Sequence, residues 1–453
     1  MYRLFFLLIL VCSFGFGQSI SQKLDSAVKE LLDSPQAYSS NLSVYVTDEK
    51  GKLVYDYQGN KGLSTASTQK IFSAGAALEL LGSEYKYTTT IAHSGVILDS
   101  KLKGNLIIHS NGDPTLGSWR YEGYKPEDFK KKVLEILKKA DIQEISGDFV
   151  LDDSYFDFQT IPGGWPWDDL GNYYGAGVWG INWRENQFDL LMKGSQIQKT
   201  TTELPNVSWI SEVKAEGNSD QSLIFTAPHS DVALINGSLP ADKISTVSGA
   251  TPNPPLTLGN ELKNLLKENG IKFNGDVYSV SMKKLEGKSV TTLSEGEILG
   301  SYQSPSLDKI VYWFMRKSVN LYGETFVKTL AKTKSKDSSF KAGISYLKEF
   351  WKSKGLHPST INFADGSGLS PQNYVSAKAE VQALLYAKKQ PWFIAFFEGF
   401  PTQKNGMKMK SGSMRNTKSY AGFHNGYAFS IIINNYQGSN SSEALYKVLN
   451  ILK

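Results

Sequence analysis

The chain has 453 residues, 40% hydrophobic and 21% charged, ordinary values for a globular protein with mass enough for two or three domains. A net charge of +5 with no run of lysine and arginine excludes a nucleic-acid patch, while permitting attraction to an anionic polymer such as a cell wall. The only cysteine, Cys12, falls in an apolar N-terminal run, so the remaining chain depends on its core and not on disulfides.

Met1-Tyr2-Arg3 is a short basic start, residues 4–14 are apolar, and Gly15-Phe16-Gly17 is a small-x-small cleavage pattern. Residues 1–17 therefore read as a secretory signal peptide, which implies export to the periplasm. The run is too short to span a bilayer, and Val11 stands before Cys12 where a lipoprotein needs a small residue, so no stable membrane anchor is expected. Leu24, Val28, Leu31 and Leu32 mark a helix over 21–32. Residues 42–57 alternate about a turn at 48–51 and predict a hairpin.

Residues 63–82 hold Ser67-Thr68-Gln69-Lys70 followed by Ile71, Phe72, Ala74, Ala77 and Leu78 with the period of a buried helix. Serine and lysine three apart share one helix face, so an amine can reach a hydroxyl. A lysine serves as a base only if burial or nearby positive charge removes its proton, and a helix of alanine and leucine offers burial. The S-x-x-K pattern also occurs at Ser83/Lys86, Ser281/Lys284, Ser306/Lys309 and Ser338/Lys341, so it is not specific alone.

Beyond Lys86 the chain turns to short strands, with a sharp turn at Asn111-Gly112-Asp113-Pro114. Helices are expected over 126–139 and 260–268. Each leads through a Gly-Asp pair, Gly147-Asp148 and Gly275-Asp276, into a strand, which is either a weak internal duplication or two ordinary connections. Between them 162–188 concentrates Trp165, Trp167, Trp179 and Trp183, a sugar-stacking surface or a connector pinned by aromatic anchors. Polar turns among short β-like segments then suggest a small β subdomain. Helices return over 307–315 and 322–330, separated by Arg316-Lys317-Ser318-Val319-Asn320, where a hydroxyl and an amide can point into one cavity. A strand over 407–414 carries Lys410-Ser411-Gly412-Ser413, in which glycine permits close approach of a substrate backbone. A hairpin partner at 427–434 and a helix at 443–452 close the chain.

Order and spacing make this set specific: Ser318 follows Ser67 by 251 residues and Lys410 follows by a further 92. S-x-x-K, S-x-N and K-S-G in that order match the signature of penicillin-binding proteins and class A β-lactamases. The long first gap, together with Asn111-Gly112-Asp113-Pro114-Thr115-Leu116, Gly164-Trp165-Pro166-Trp167 and Asp365-Gly366-Ser367-Gly368-Leu369-Ser370, resembles the D-alanyl-D-alanine carboxypeptidases/endopeptidases, the class C low-molecular-mass penicillin-binding proteins.

That resemblance implies an α+β fold: a split serine transpeptidase/β-lactamase-like domain, an antiparallel sheet flanked by helices, interrupted by two nested insertions. The expected limits are 18–88 and 290–453 for the catalytic domain, 89–182 and 250–289 for an inserted α/β domain, and 183–249 for a nested β domain. It also implies a serine DD-peptidase acting on peptidoglycan stem peptides, inhibited covalently by β-lactams, with no metal or cofactor. Ser67 would be the nucleophile and Lys70 its base. Ser318 would relay a proton, Asn320 would hold the substrate amide, and Lys410 would supply positive potential. Ser411 and Ser413 would bind the terminal carboxylate beside Gly412, and the N–H groups of Ser67 and Ser413 would form the oxyanion hole. Asp152 would face the amine of the substrate's third side chain. Pro371-Gln372 stand where several relatives have a carboxylate-binding arginine, which leaves that contact in doubt. His93, His109, His229, His357 and His424 suggest no metal cluster. The competing readings are a β-lactamase or esterase, disfavoured by the lack of an E-x-x-L-N setting, and a non-catalytic wall-binding protein, disfavoured by three intact motifs.

Overall fold

The computed structural model describes residues 18–453. The predicted signal peptide, Cys12 included, lies outside the described residues. Among the described residues no helix is long and apolar enough to cross a membrane.

The first and last parts of the chain share one antiparallel sheet, in the order Leu53–Tyr57, Asn41–Asp48, Tyr427–Asn434, Thr417–His424, Met409–Met414. Its middle strand is buried without a break over 428–433, as a strand covered on both faces must be. Ile431 and Ile433 pack with Leu24, Val28 and Leu445 of the Ile20–Leu32 and Ser441–Leu449 helices. Ile432 points the other way, toward Ala377 at the start of the Ala377–Lys388 helix. Behind that layer the Lys70–Leu81 helix is buried on every side over 70–78. The edge strand Met409–Met414 pairs with Thr417–His424, not with 427–434 as expected. A tight turn through Arg415 and a left-handed Asn416 (φ 56°) inserts a strand that the polar residues Lys418 and Ser419 disguise.

The insertion carries its own five-stranded sheet, ordered Val277–Ser279, Phe149–Asp152, Leu106–Ser110, Thr88–His93, Glu297–Gln303. The last strand takes the inserted domain beyond the expected limit at 289, because it pairs antiparallel with Thr88–His93 although little of its sequence is apolar. The helix expected over 260–268 begins at Pro254, since Asn253 caps it and proline is tolerated in a first turn. The two Gly-Asp connections lie side by side: their strands pair in parallel and the Asp276 N–H donates to Asp148 Oδ1 at 3.0 Å. A Cβ on Gly275 would stand 2.1 Å from the Gly147 carbonyl oxygen, so this approach requires glycine. Two three-stranded sheets over 187–250 enclose a separate core of Phe188, Leu190, Met192, Ile224, Ile235 and Leu239.

Candidate active site

Ser67 stands just before the α-helix, on a 3₁₀ turn spanning Ala66–Gln69, and the α-helix starts at Lys70. Residues three apart eclipse in a 3₁₀ turn, which places Lys70 Nζ 2.9 Å from Ser67 Oγ. Ala66 adopts φ 48°, so the turn is held in a conformation that L-residues rarely choose. Three contacts from the sheet hold it there. Ser419 Oγ donates to the Thr65 carbonyl, the Ser64 N–H donates to Asn434 Oδ1 at 2.9 Å, and Asn434 Nδ2 donates back to the Ser64 carbonyl at 2.8 Å.

The side chain of Lys70 is fully buried. Besides Ser67 its amine meets Asn320 Oδ1 at 2.6 Å and the Ser367 carbonyl at 2.7 Å. Burial in an apolar helical layer pulls the amine down to about 7, against the opposing charges of Asp365 and Glu324. The same burial pushes Glu324 up to about 8. At neutral pH a substantial share of the amine is therefore uncharged, which is the state a base needs before it accepts a proton.

Ser318 closes the Leu307–Lys317 helix in a left-handed conformation (φ 59°), and Asn320 opens the Asn320–Ser335 helix. Lys410 is 2% exposed on the edge strand and donates to Ser318 Oγ at 3.1 Å and to the Ser411 carbonyl at 2.9 Å. Burial and the neighbouring Lys70 hold its amine well below the usual lysine range, and a bound carboxylate would favour its charged form. Ser67, Ser318, Asn320 and Ser413 line one cleft of about 790 Å³. Ser411 is partly buried and shares a strand face with Ser413, two residues on.

Gly412 serves a purpose beyond the one its sequence suggests. A Cβ there would meet the Thr65 carbonyl oxygen at 2.2 Å and the Ser67 nitrogen at 2.9 Å. The glycine admits the chain's own nucleophile turn against the edge strand, as well as leaving the strand open to a ligand. Asn320 makes two contacts within the protein as well: its Oδ1 accepts from Lys70 and its Nδ2 donates to the Tyr174 carbonyl at 2.8 Å. It positions the base and ties the insertion to the cleft.

Asp152 does not reach the cleft. It is 2% exposed on the inserted sheet, its carboxylate engaged by the Leu293 and Ser154 N–H groups and lying beside His109, contacts that hold it near 2 despite burial. The acidic residues that line the cleft are Asp168 and Asp169, with Tyr173 and Tyr174 beside them and Lys317 and Arg415 also in the lining. Three tryptophans of 162–188 are buried anchors, Trp165, Trp179 and Trp183, and Trp167 alone is exposed. Trp165 Nε1 donates to Asp365 Oδ2 at 2.8 Å, which joins the GWPW and DGSGLS stretches behind Lys70. Glu324, Asp365 and Tyr174 escaped sequence reasoning; of these only Asp365, within the quoted DGSGLS stretch, carried a signal. Among the described residues no cluster of three metal-ligating side chains occurs.

A buried amine poised on a serine at the head of an interior helix, with a hydroxyl and a second amine completing the cleft, defines a serine acyl-transfer hydrolase of the transpeptidase-like class. The sequence profile of the D-Ala-D-Ala carboxypeptidase 3 (S13) family matches residues 24–451. The chain is 24% identical to the D-alanyl-D-alanine carboxypeptidase of Actinomadura sp. (strain R39), over 92% of this chain and 82% of that one. It is 27% identical to D-alanyl-D-alanine carboxypeptidase DacB of Haemophilus influenzae, over 78% and 72%. The crystal structure of penicillin binding protein 4 (dacB) from the same organism shares the fold, with a TM-score of 0.78 at 24% identity, covering 94% of this chain and 98% of that one. The chain belongs to the D-Ala-D-Ala carboxypeptidase 3 (S13) family, and it is a serine-type DD-peptidase of peptidoglycan.

Proposed function

We propose that Ser67 attacks the carbonyl of the penultimate D-alanine while the neutral Lys70 amine takes the hydroxyl proton. The oxyanion lies against the N–H groups of Ser67 and Ser413, where loss of one donor typically costs ~100- to 1,000-fold in rate. The Lys410–Ser318 pair passes a proton to the departing amine of the terminal D-alanine. Water then hydrolyses the acyl-serine by the reverse route. The observation that carries this reading is the 2.9 Å contact between Ser67 Oγ and a fully buried amine drawn to about 7.

The edge strand Met409–Met414 supports it further, because an extended peptide can add there as another strand. The terminal carboxylate then meets Ser411, Ser413 and the Lys410 amine. The same step cuts a terminal D-alanine or a D-alanyl cross-link, and it traps a β-lactam as an acyl adduct. Labelled penicillin followed by mass spectrometry is expected to place one adduct on the peptide holding Ser67; a folded protein without that adduct refutes the mechanism. The basic start, apolar run and small-x-small site of residues 1–17 support export and work in the periplasm.

With Asp152 turned inward, an amine on the third side chain of the stem peptide faces Asp168 and Asp169 in the cleft, and a carboxylate there finds Arg415 in place of the arginine that Pro371-Gln372 replace. Asp168→Asn is expected to raise KM for an amine-bearing stem peptide about fivefold, with kcat unchanged, as loss of one exposed charge contact predicts at most. Equal KM values for both proteins would remove Asp168 from the subsite.

A further inference from the structure

The helix that delivers Ser318 at its C-terminal end lines a second groove with its earlier turns. That groove has a volume of about 700 Å³ and shares no lining residue with the catalytic cleft. Five aromatic side chains face it: Tyr121, Tyr124, Tyr312, Trp313 and Trp392. They are already fixed in place. Tyr121 OH donates to Tyr322 OH at 3.2 Å, Trp392 Nε1 donates to Glu79 at 3.0 Å, and the Tyr312 and Trp313 rings pack at 83° with centroids 5.2 Å apart. A ligand entering would meet a preformed surface and order little of it.

Among the rings stands Arg120. Its Nε donates to both carboxylate oxygens of the buried Glu185, at 2.9 and 3.0 Å, and its guanidinium lies 5.2 Å from the Trp119 ring and 5.8 Å from that of Trp313. The rest of the guanidinium is thereby presented as a rigid donor. The remaining charges alternate in sign: Lys309 with Arg120 against Glu122, Asp308 and Glu398. This mixed set attracts neither a polyanion nor a polycation, and an apolar peptide would strip water from Lys309 and Glu398 without pairing them, while Arg120 and Glu122 are already held by Glu185 and Lys125. Rings interleaved with fixed donors and acceptors match a neutral polyhydroxylated ligand, whose C–H faces stack and whose hydroxyls and amides hydrogen-bond.

We propose that this groove binds the glycan of the substrate, a β-linked strand of N-acetylated amino sugars, while a stem peptide occupies the cleft. The proposal rests on the reading of the cleft as a peptidoglycan DD-peptidase. Trp313 precedes Ser318 by five residues, about 7.5 Å along the helix axis. An extended five-residue stem spans about 17 Å, so the strand that carries a stem, or its neighbour, comes within range.

The test uses protein first acylated with penicillin, so that the cleft is closed, titrated with chitotetraose by calorimetry. Saturable binding is expected, weakened about tenfold by Trp313→Ala and also by Glu398→Ala, an exposed rim substitution that spares the packing. Both variants are expected to hydrolyse a free stem pentapeptide as the native protein does and to act more slowly on the same peptide attached to glycan. Absence of saturable binding to the native protein overturns the proposal, as does native affinity in both variants. Self-association abolished by Ile394→Asp, with no sugar binding, overturns it too, by showing a second copy on the groove. Failure to cleave the free pentapeptide with chitotetraose binding intact refutes the cleft reading and leaves the groove standing as a sugar site.

Discussion

Lys70→Met is expected to slow acylation of Ser67 by penicillin by about 1,000- to 10,000-fold while the protein remains folded. The amine is the base in contact with the nucleophile, at 2.9 Å, and Lys410 is directed instead at Ser318. Methionine has nearly the same length, so the interior helix keeps its packing. The substitution removes a desolvated amine and leaves Asn320 Oδ1 and the Ser367 carbonyl without their donor, two opposed effects that limit the change in stability. The native acylation rate should rise with pH through about 7, because burial lowers the pKa of this lysine and the neutral fraction grows as pH passes that value. The residual rate of the variant should lack that limb. Measuring the acylation rate constant from pH 5 to 9 checks both points (about the range in which a shifted amine titrates); a variant within tenfold of native, or one that retains the limb, would assign the base elsewhere.

Gly412→Ala is expected to cost about 100-fold in acylation, and a smaller, measurable share of stability of about 1–3 kcal/mol. The added methyl would stand 2.2 Å from the Thr65 carbonyl oxygen, 2.4 Å from Ser419 Oγ and 2.9 Å from the Ser67 nitrogen. Two of these are backbone atoms, so the edge strand or the nucleophile turn has to move. Either displacement spreads the two oxyanion donors, since one belongs to the turn and the other to Ser413 on the strand. Thermal unfolding and acylation kinetics on the same preparation separate the two effects. A variant that acylates within threefold of native would mean that strand and turn can separate without consequence, and would end this account of the oxyanion hole.

Which chemistry the chain performs was readable without coordinates, because it resides in short motifs whose order and spacing survive a linear reading. Most helices were readable too: apolar periodicity is local, and the Pro126–Lys139 helix shows it together with acidic residues in its first turn and lysines in its last. The exceptions have local causes. The strand Thr417–His424 hides behind polar residues, and Pro254-Pro255 look like a break where they are a helix start.

Residues 67, 70, 318, 320 and 410 were assigned to one site from motif alone, and the fold brings them there. What no local pattern could settle was the environment of each charge. Asp152 and Asp168 are both the first of an Asp-Asp pair with aromatic neighbours, yet one is satisfied inside a sheet and the other lines the cleft. The state of Lys70 likewise depends on Asp365 and Glu324, about 295 and 254 positions away in the chain. Hydrophobic period and turn chemistry act over a few residues and so are written in the sequence order. Desolvation and the sign of the nearest charge act through space, and only the folded chain decides which groups share that space.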